Sequence, residues 1–222
     1  MKERITRAFA GAAIEDESLA GKAATLIRSR IIAGELGPGE RLTETDFAQV
    51  LGISRACVRE AFQTLEYEGL VRKRVNRYTE VVSLDGADVE EIYRLRAAVE
   101  VCCYEAAMDR GCLPAGELMQ EAQAVDERHS QRAPLEQSWI DQDFAFHQLL
   151  VLSSQCPRAI DTWMRLKNQA RLVLYRSPDI AVIGDHLQLA RILAAGEREQ
   201  AAAALKAHIM AGYRLAAGKD EP

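Results

Sequence analysis

None of the apolar runs in the 222 residues approaches the ~20 needed to cross a bilayer as a helix. The first stretch, MKERITRAFAGAAIEDESLAGK, is charged and lacks the long apolar centre of a secretory leader. A cytoplasmic location is therefore expected. The cysteines are few and oddly numbered: Cys57, Cys102, Cys103, Cys112 and Cys156, with no C-x-x-C pair among them. That argues against a disulfide scaffold and a cysteine-based metal or redox site, because adjacent Cys102 and Cys103 project in different directions from a helix. Reduced thiols acting as small apolar side chains are expected instead. An excess of positive charge is also missing. The net charge is −5, which argues against a basic coat for nucleic acid over the whole surface.

The charge is uneven, however. Residues 20–83 hold ten Lys and Arg against eight Asp and Glu, and the acidic excess falls after residue 84. Hydrophobic residues at 48% and charged residues at 27% describe an ordinary globular chain, long enough for two domains. Residues 1–17 show no clear apolar period and read as a flexible tail. From Ser18 to Ala33 apolar residues recur at helical spacing, and Gly34 with GELGPGERL makes a punctuated turn. TETDFAQVLG reads as a short helix with Thr43 at its N-cap and Gly52 at its end. SRACVREAFQTLEYEGL reads as another, opened by Ser54 and closed by Gly69. VRKRV and TEVVSL around VNRYT then form a hairpin-like pair. Three short helices and a hairpin make residues 18–83 a winged helix-turn-helix.

After Ser83 the pattern is helical throughout. A long helix capped near Asp85 or Asp88 runs to Gly111. Further helical stretches fall at about 115–130, 135–153, 157–176, 180–195 and 197–217. The fold class is mainly α, with an all-helical bundle of about six helices over residues 84–217.

Two motifs carry chemistry. In the helix opened by Ser54, Arg55 and Arg59 lie four apart and away from the apolar stripe of Val58 and Phe62. Arginines near the start of such a helix can bond bidentately to guanine in a major groove. Taken alone, the pair reads equally well as a solvated surface. The short helix before it and the hairpin after it favour DNA. The stretch GELGPGERLTETDFAQVLGISRACVREAFQTLEYEGLV also resembles the DNA-binding domain of GntR-family transcription regulators, through P-G-x-x-L, L-G-[VI]-S-R-x-x-V-R-E-A and L-x-x-x-G-L-[VI]. Ser54 at the helix start can cap the helix or contact phosphate. The resemblance implies base contacts from Arg55 and Arg59, a backbone contact from Arg41 and a wing contact from Arg77. One departure is Tyr78, where the family commonly has glycine at the wing tip.

The second motif is DFAFHQLL. Asp143 and His147 are four apart, so one helix face presents a carboxylate and an imidazole together. The chain has only four histidines: His129, His147, His186 and His208. His186 opens one helix and His208 lies near the end of the next, and antiparallel packing brings both to one end of the bundle. If the helix of Asp143 and His147 packs there too, three imidazoles and a carboxylate converge, a set suited to Zn²⁺ or Ni²⁺. Each histidine singly also reads as an ordinary core or surface residue, and His129 in DERHSQR keeps that reading. The pattern D-x-x-F-H…(E/D)-H…H resembles the FCD domain of the FadR branch of the GntR family. Asp143, Phe146, His147, Asp185, His186 and His208 fill it, and YRLRAAVE resembles that family's R-x-x-x-E segment.

The resemblance implies a homodimeric regulator of operator DNA whose divalent metal anchors a small carboxylate effector. Release of DNA on effector binding is the commoner outcome in such a family. Arg96 and Arg171 are candidates to hold the acid, because guanidinium pairs bidentately with carboxylate. For each, an interhelical salt bridge, with Glu100 or a neighbour, is the competing reading. Two functional alternatives stand beside the sensor: the same DNA-binding protein with a purely structural metal, and a metal-dependent hydrolase. The hydrolase lacks a glutamate beside its ligands of the H-E-x-x-H kind, since Gln148 follows His147 and Ile209 follows His208, although Asp185 adjoins His186.

Overall fold

A computed structural model describes residues 18–74, 78–130, 137–176 and 185–216. The expected tail at 1–17, Arg77 and the residues at 135–136, 180–184 and 217 lie outside the described residues, and so does the side chain of His129.

The N-terminal elements form where local chemistry stops and starts them. α1 (Leu19–Ile32) begins at Ser18, whose hydroxyl accepts the Gly21 amide. α2 (Glu44–Leu51) begins at Thr43, which accepts the Asp46 amide, and ends at Gly52 with φ +65°. α3 (Arg55–Tyr67) begins at Ser54, which accepts the Cys57 amide, and buries Val58, Ala61, Phe62 and Leu65. The expected hairpin is one part of a larger sheet. β1 (Arg41–Leu42), β2 (Val71–Arg74) and β3 (Tyr78–Val81) pair antiparallel in the order β1-β3-β2. Two residues are too few to signal a strand by alternation, so β1 becomes visible only through its partners Glu80 and Thr79.

α4 (Gly86–Arg110) opens with a reciprocal capping box between Asp85 and Asp88 and closes at Gly111 in the left-handed region. It is the central rod of the second half, about 37 Å long at 1.5 Å per residue. Around it lie α5 (Ala115–Ser130), α6 (Gln137–Ser153), α7 (Pro157–Arg176), α8 (His186–Ala195) and α9 (Arg198–Ala216). Its buried stripe, Val89, Ile92, Tyr93, Arg96, Ala97, Glu100, Cys103, Tyr104 and Ala107, follows helical spacing. Arg96 and Glu100 occupy core positions in that stripe.

Two apolar cores result, one under the small sheet and one inside the six-helix bundle. α7 belongs to both. Its Trp163, Leu166 and Ala170 pack in the bundle, while its Leu172 is fully buried in the core of the N-terminal half. On its flank, Tyr67 at the end of α3 donates its hydroxyl to Asp161 and lies beneath the Arg165 guanidinium, 3.6 Å from ring centre to Cζ. The Gln169 amide donates to the Gly69 carbonyl at 3.3 Å, and Arg28 of α1 grips Glu68 bidentately at 2.7 and 2.6 Å. The end of α3 is thus clamped between α1 and α7. All five cysteines are free thiols, with Cys103 buried and Cys102 exposed.

Candidate functional site

α6, α8 and α9 carry Asp143 and His147, His186, and His208 to one point inside the bundle. One ligand atom from each of the four side chains lies within 4.8 Å of the others. The His186 and His208 rings are 4.5 Å apart between centroids, and His147 lies 5.8 and 5.3 Å from them. Phe146 packs edge-on against both His147 and His186, which gives the second phenylalanine of DFAFHQLL a role as the apolar wall of the cluster. All three imidazoles are buried.

Two of the rings bond a carboxylate at Nδ1, and the third has one nearby that its Nδ1 does not bond. Glu100 Oε2 lies 2.6 Å from His147 Nδ1, Asp185 Oδ1 lies 2.7 Å from His208 Nδ1, and Asp126 Oδ1 stands 3.7 Å from His186 Nδ1. This leaves Nε2 as the nitrogen available to a metal on His147 and His208, whose Nδ1 atoms are taken. The Nε2 of His186 and Oδ1 of Asp143 are 3.0 Å apart but are not aligned as a hydrogen bond. Two donor atoms that close and yet not bonded suit a cation between them. A first-row ion with bonds of about 2.0–2.2 Å needs donors no more than about 4.4 Å apart. Side-chain adjustments of a few tenths of an ångström would close the observed cluster around one.

The carboxylate partners come from packing rather than from neighbouring sequence. Glu100 is fully buried on α4, where it accepts from Arg96 Nε at 2.7 Å and from Trp163 Nε1 at 2.7 Å as well as facing His147. Burial works to raise its pKa, but Arg96, His147 and Trp163 outweigh it and hold the group at about 2. Asp126, on α5, caps α8 from outside by accepting the His186 and Leu187 amides at 3.2 and 3.0 Å. Asp185 sits at the N-cap position of α8 without capping it, because its carboxylate is turned to His208. That use of Asp185 removes it as the general base a hydrolase would need.

The protonation pattern follows. Burial, joined by Arg96, lowers His147 to about 4 despite Glu100 beside it. Burial opposes charge on His186 too, but Asp126 and Asp143 outweigh it and raise that imidazole to about 9 without a metal. Asp143 is held far below the usual carboxylate range, because His186, His147 and Arg96 together overcome its burial.

Arg96 pairs with Glu100 through Nε and leaves Nη2 buried with no hydrogen bond. The buried Tyr93 hydroxyl is likewise unpaired. Its pKa is pushed up, chiefly by burial, with Arg96 and Asp143 close enough to act on it. The expected salt bridge between Arg96 and Glu100 is therefore present, and it leaves Nη2 without a partner. Arg171 is engaged elsewhere, with Asp141 across the α6–α7 seam.

At the other end of the chain, Arg55 and Arg59 are exposed on α3, and Ser54 is bound to the helix start. A groove of about 440 Å³ runs between Arg55 and the sheet, lined by Thr43, Glu44, Lys73, Arg74 and Tyr78 among others. Two residues here have partners within the fold. Tyr78 begins β3 in the last pair of the ladder, opposite Arg74, with its ring under the Arg41 guanidinium, 4.3 Å from ring centre to Cζ. Arg59 is not free: Glu44 holds it through two hydrogen bonds.

Comparisons with known proteins agree with both halves. Residues 19–81 match the bacterial regulatory proteins of the gntR family, and residues 91–211 match the FCD domain. The chain belongs to the GntR family of transcription regulators. The HTH-type transcriptional repressor RspR of Escherichia coli K12 is 31% identical over 158 residues, 69% of this chain and 67% of that one. YdhC, an HTH-type transcriptional regulator of Bacillus subtilis, is 30% identical over 125 residues, so the match spans 56% of each chain. A solved GntR transcriptional regulator from Rhodococcus sp. RHA1 superposes with a TM-score of 0.73 at 27% identity, covering 92% of this chain and all of that one. The combination with FCD puts this GntR regulator in the FadR-like branch. It is a transcription regulator and not an enzyme. No described helix is long and apolar enough to cross a membrane.

The sequence pointed to Asp143, His147, His186 and His208 but gave no role to Asp126 or Trp163. Glu100 had a usable signal: a charged residue in the core stripe of α4, four residues after a second one.

Proposed function

We propose that this GntR regulator is a cytoplasmic, metal-dependent sensor of a small carboxylate that binds operator DNA as a homodimer. The observation that carries the reading is the convergence of Asp143 with three imidazoles whose Nδ1 atoms face carboxylates. Nitrogen-rich ligands of this kind suit Zn²⁺ or Ni²⁺ rather than Mg²⁺ or Ca²⁺. The metal, when bound, supplies a Lewis-acidic anchor for an acid's oxygen. Arg96 Nη2 and the Tyr93 hydroxyl are buried donors without partners, and an anion beside them would satisfy both. Arg171 remains a second candidate for the far end of the acid.

Ser54, Arg55 and Arg59 contact the major groove, with Arg41 on the backbone and Arg77 in the wing. A dimer is required because one such helix reads too few base pairs alone. Coupling runs through α7, whose Trp163 donates to Glu100 in the metal cluster while Asp161, Arg165 and Gln169 hold the end of α3. An acid that prefers one arrangement of this link shifts the population of DNA-competent dimers.

The test is a native mass spectrum of protein purified without a metal-affinity column, followed by thermal melts with a panel of small acids. One divalent ion per chain in a dimer, and an acid that raises the melting temperature only with metal present, support the sensor. Metal without any responsive acid supports the structural alternative. A metal-free monomer overturns the account of Asp143 and the histidines.

A further inference from the structure

Glu44 is the first residue of α2, and its carboxylate crosses to α3. Arg59 Nε donates to Oε1 at 2.8 Å and Arg59 Nη2 donates to Oε2 at 2.6 Å, while Arg55 Nη2 stands 3.9 Å from the same Oε2. The Glu44 side chain is one-quarter exposed, and Arg59 is half exposed. The Arg59 hydrogen bond holds the Glu44 carboxyl below its usual range, so the group is ionised at any physiological pH.

A carboxylate is out of place on a surface that meets a polyanion, since it repels phosphate. An acidic residue in the first turn of α2 is favoured by the helix dipole, but that role is met equally well with the side chain in water. What Glu44 does instead is occupy one edge of a fork. A guanidinium carries five N–H groups in one plane, and Glu44 takes the edge formed by Nε and one hydrogen of Nη2. The other edge, formed by Nη1 and the second Nη2 hydrogen, is bonded to no described residue. Its two parallel donors match the O6 and N7 acceptors of guanine in the major groove.

We propose that Glu44 is a specificity-determining residue that fixes the plane of the Arg59 guanidinium, so that its free edge reads guanine, while its own charge weakens binding to DNA of any other sequence. A free arginine would swing between base and phosphate and bind both. The buttressed one is pre-organised for a base edge, and the groove that Glu44 lines with Arg55 also holds Lys73, which is left to the backbone. This rests on the reading of α3 as the helix that enters the groove.

The full-length protein, its Glu44→Gln and Glu44→Ala variants, and Arg59→Ala are each used to select duplexes from a randomised pool. The selected site and an unrelated duplex are then titrated with each protein. Circular-dichroism melts accompany the selection, and the partly exposed position at a helix start makes Glu44→Gln the milder change. The native chain enriches a guanine in each half-site that Arg59→Ala no longer selects. Both Glu44 variants keep the rest of the site, lose about tenfold in preference for that guanine, and bind the unrelated duplex as tightly as the native chain or more so. An unchanged guanine preference in both variants overturns the proposal. So does uniformly tighter binding with that preference kept, which would make the ion pair a lock rather than a guide. If the native chain enriches no sequence, the DNA-reading role of α3 falls first, and this proposal with it.

Discussion

Trp163 Nε1 donates to Glu100 Oε1 at 2.7 Å, joining the helix that docks on α3 to the carboxylate that backs His147. Glu100 is fully buried, and its charge is sustained by Arg96, His147 and Trp163. Removing Glu100 strands the Arg96 charge in the core. Glu100→Ala is expected to cost about 3–5 kcal/mol in denaturant unfolding. Glu100→Gln, which keeps an acceptor, should cost less and should weaken metal binding about 10–100-fold, read by competition with a chromophoric chelator. Equal metal affinity in Glu100→Gln and the native chain would remove its orienting role.

Metal loading should stabilise the fold by mass action. At free Zn²⁺ near 100 times Kd the gain is about 2.7 kcal/mol, and a chain of this size then melts about 5–10 °C higher. His186→Ala and His208→Ala should abolish the shift, and excess chelator should reverse it in the native protein. A shift of the same size in either variant would place the ion elsewhere.

The pH dependence of stability should separate metal-free from loaded protein. His186 rises from an ordinary 6.5 to about 9 in the metal-free fold, because Asp126 and Asp143 overcome its burial. A raised folded-state pKa stabilises fully below the unfolded value and loses that contribution as pH climbs through the folded one. The metal-free protein should therefore lose about 3 kcal/mol between pH 6.5 and 9. A divalent ion takes the place of that proton, so loaded protein should show a flatter profile and release protons on binding. Chelator-treated and Zn²⁺-loaded samples melted across this range give the comparison. Parallel profiles would count against the exchange.

The clamp on α3 turns on Gly69. Its φ is +72°, and an added Cβ would lie 2.5 Å from Gln169 Nε2. Gly69→Ala should cost about 1–2 kcal/mol from the left-handed backbone alone. The displaced Gln169 should also loosen the α3–α7 contact, seen as faster amide exchange over Glu66–Leu70. Gly69→Ala with Gln169→Ala should keep the backbone cost, because only the side-chain clash is relieved. Full recovery in the double variant would show that the clash alone mattered.

The helix boundaries were legible because capping and punctuation act over three or four residues. Ser18, Thr43 and Ser54 each accept an amide three positions on, and Gly34, Gly52, Gly69 and Gly111 take the left-handed turns that end helices. Asp143 with His147 was legible for the same reason, since one helical turn puts both on a face. His186 and His208 needed only the further inference that consecutive helices pack antiparallel.

Tertiary structure decided what stands behind those ligands. Glu100 reaches His147 across 47 positions of sequence, and Asp126 reaches the start of α8 across 60. No local pattern encodes which carboxylate meets which imidazole, because that depends on how α4 and α5 pack against α6 and α8. The strand Arg41–Leu42, the seat of Tyr78 under Arg41 and the grip of Glu44 on Arg59 were settled the same way. The sequence by itself determined the helices and the hairpin, through contacts spanning one turn, and marked Asp143, His147, His186 and His208 as side chains that converge. The folded chain determined the charges around them, because a buried group's ionisation depends on neighbours brought together only by packing.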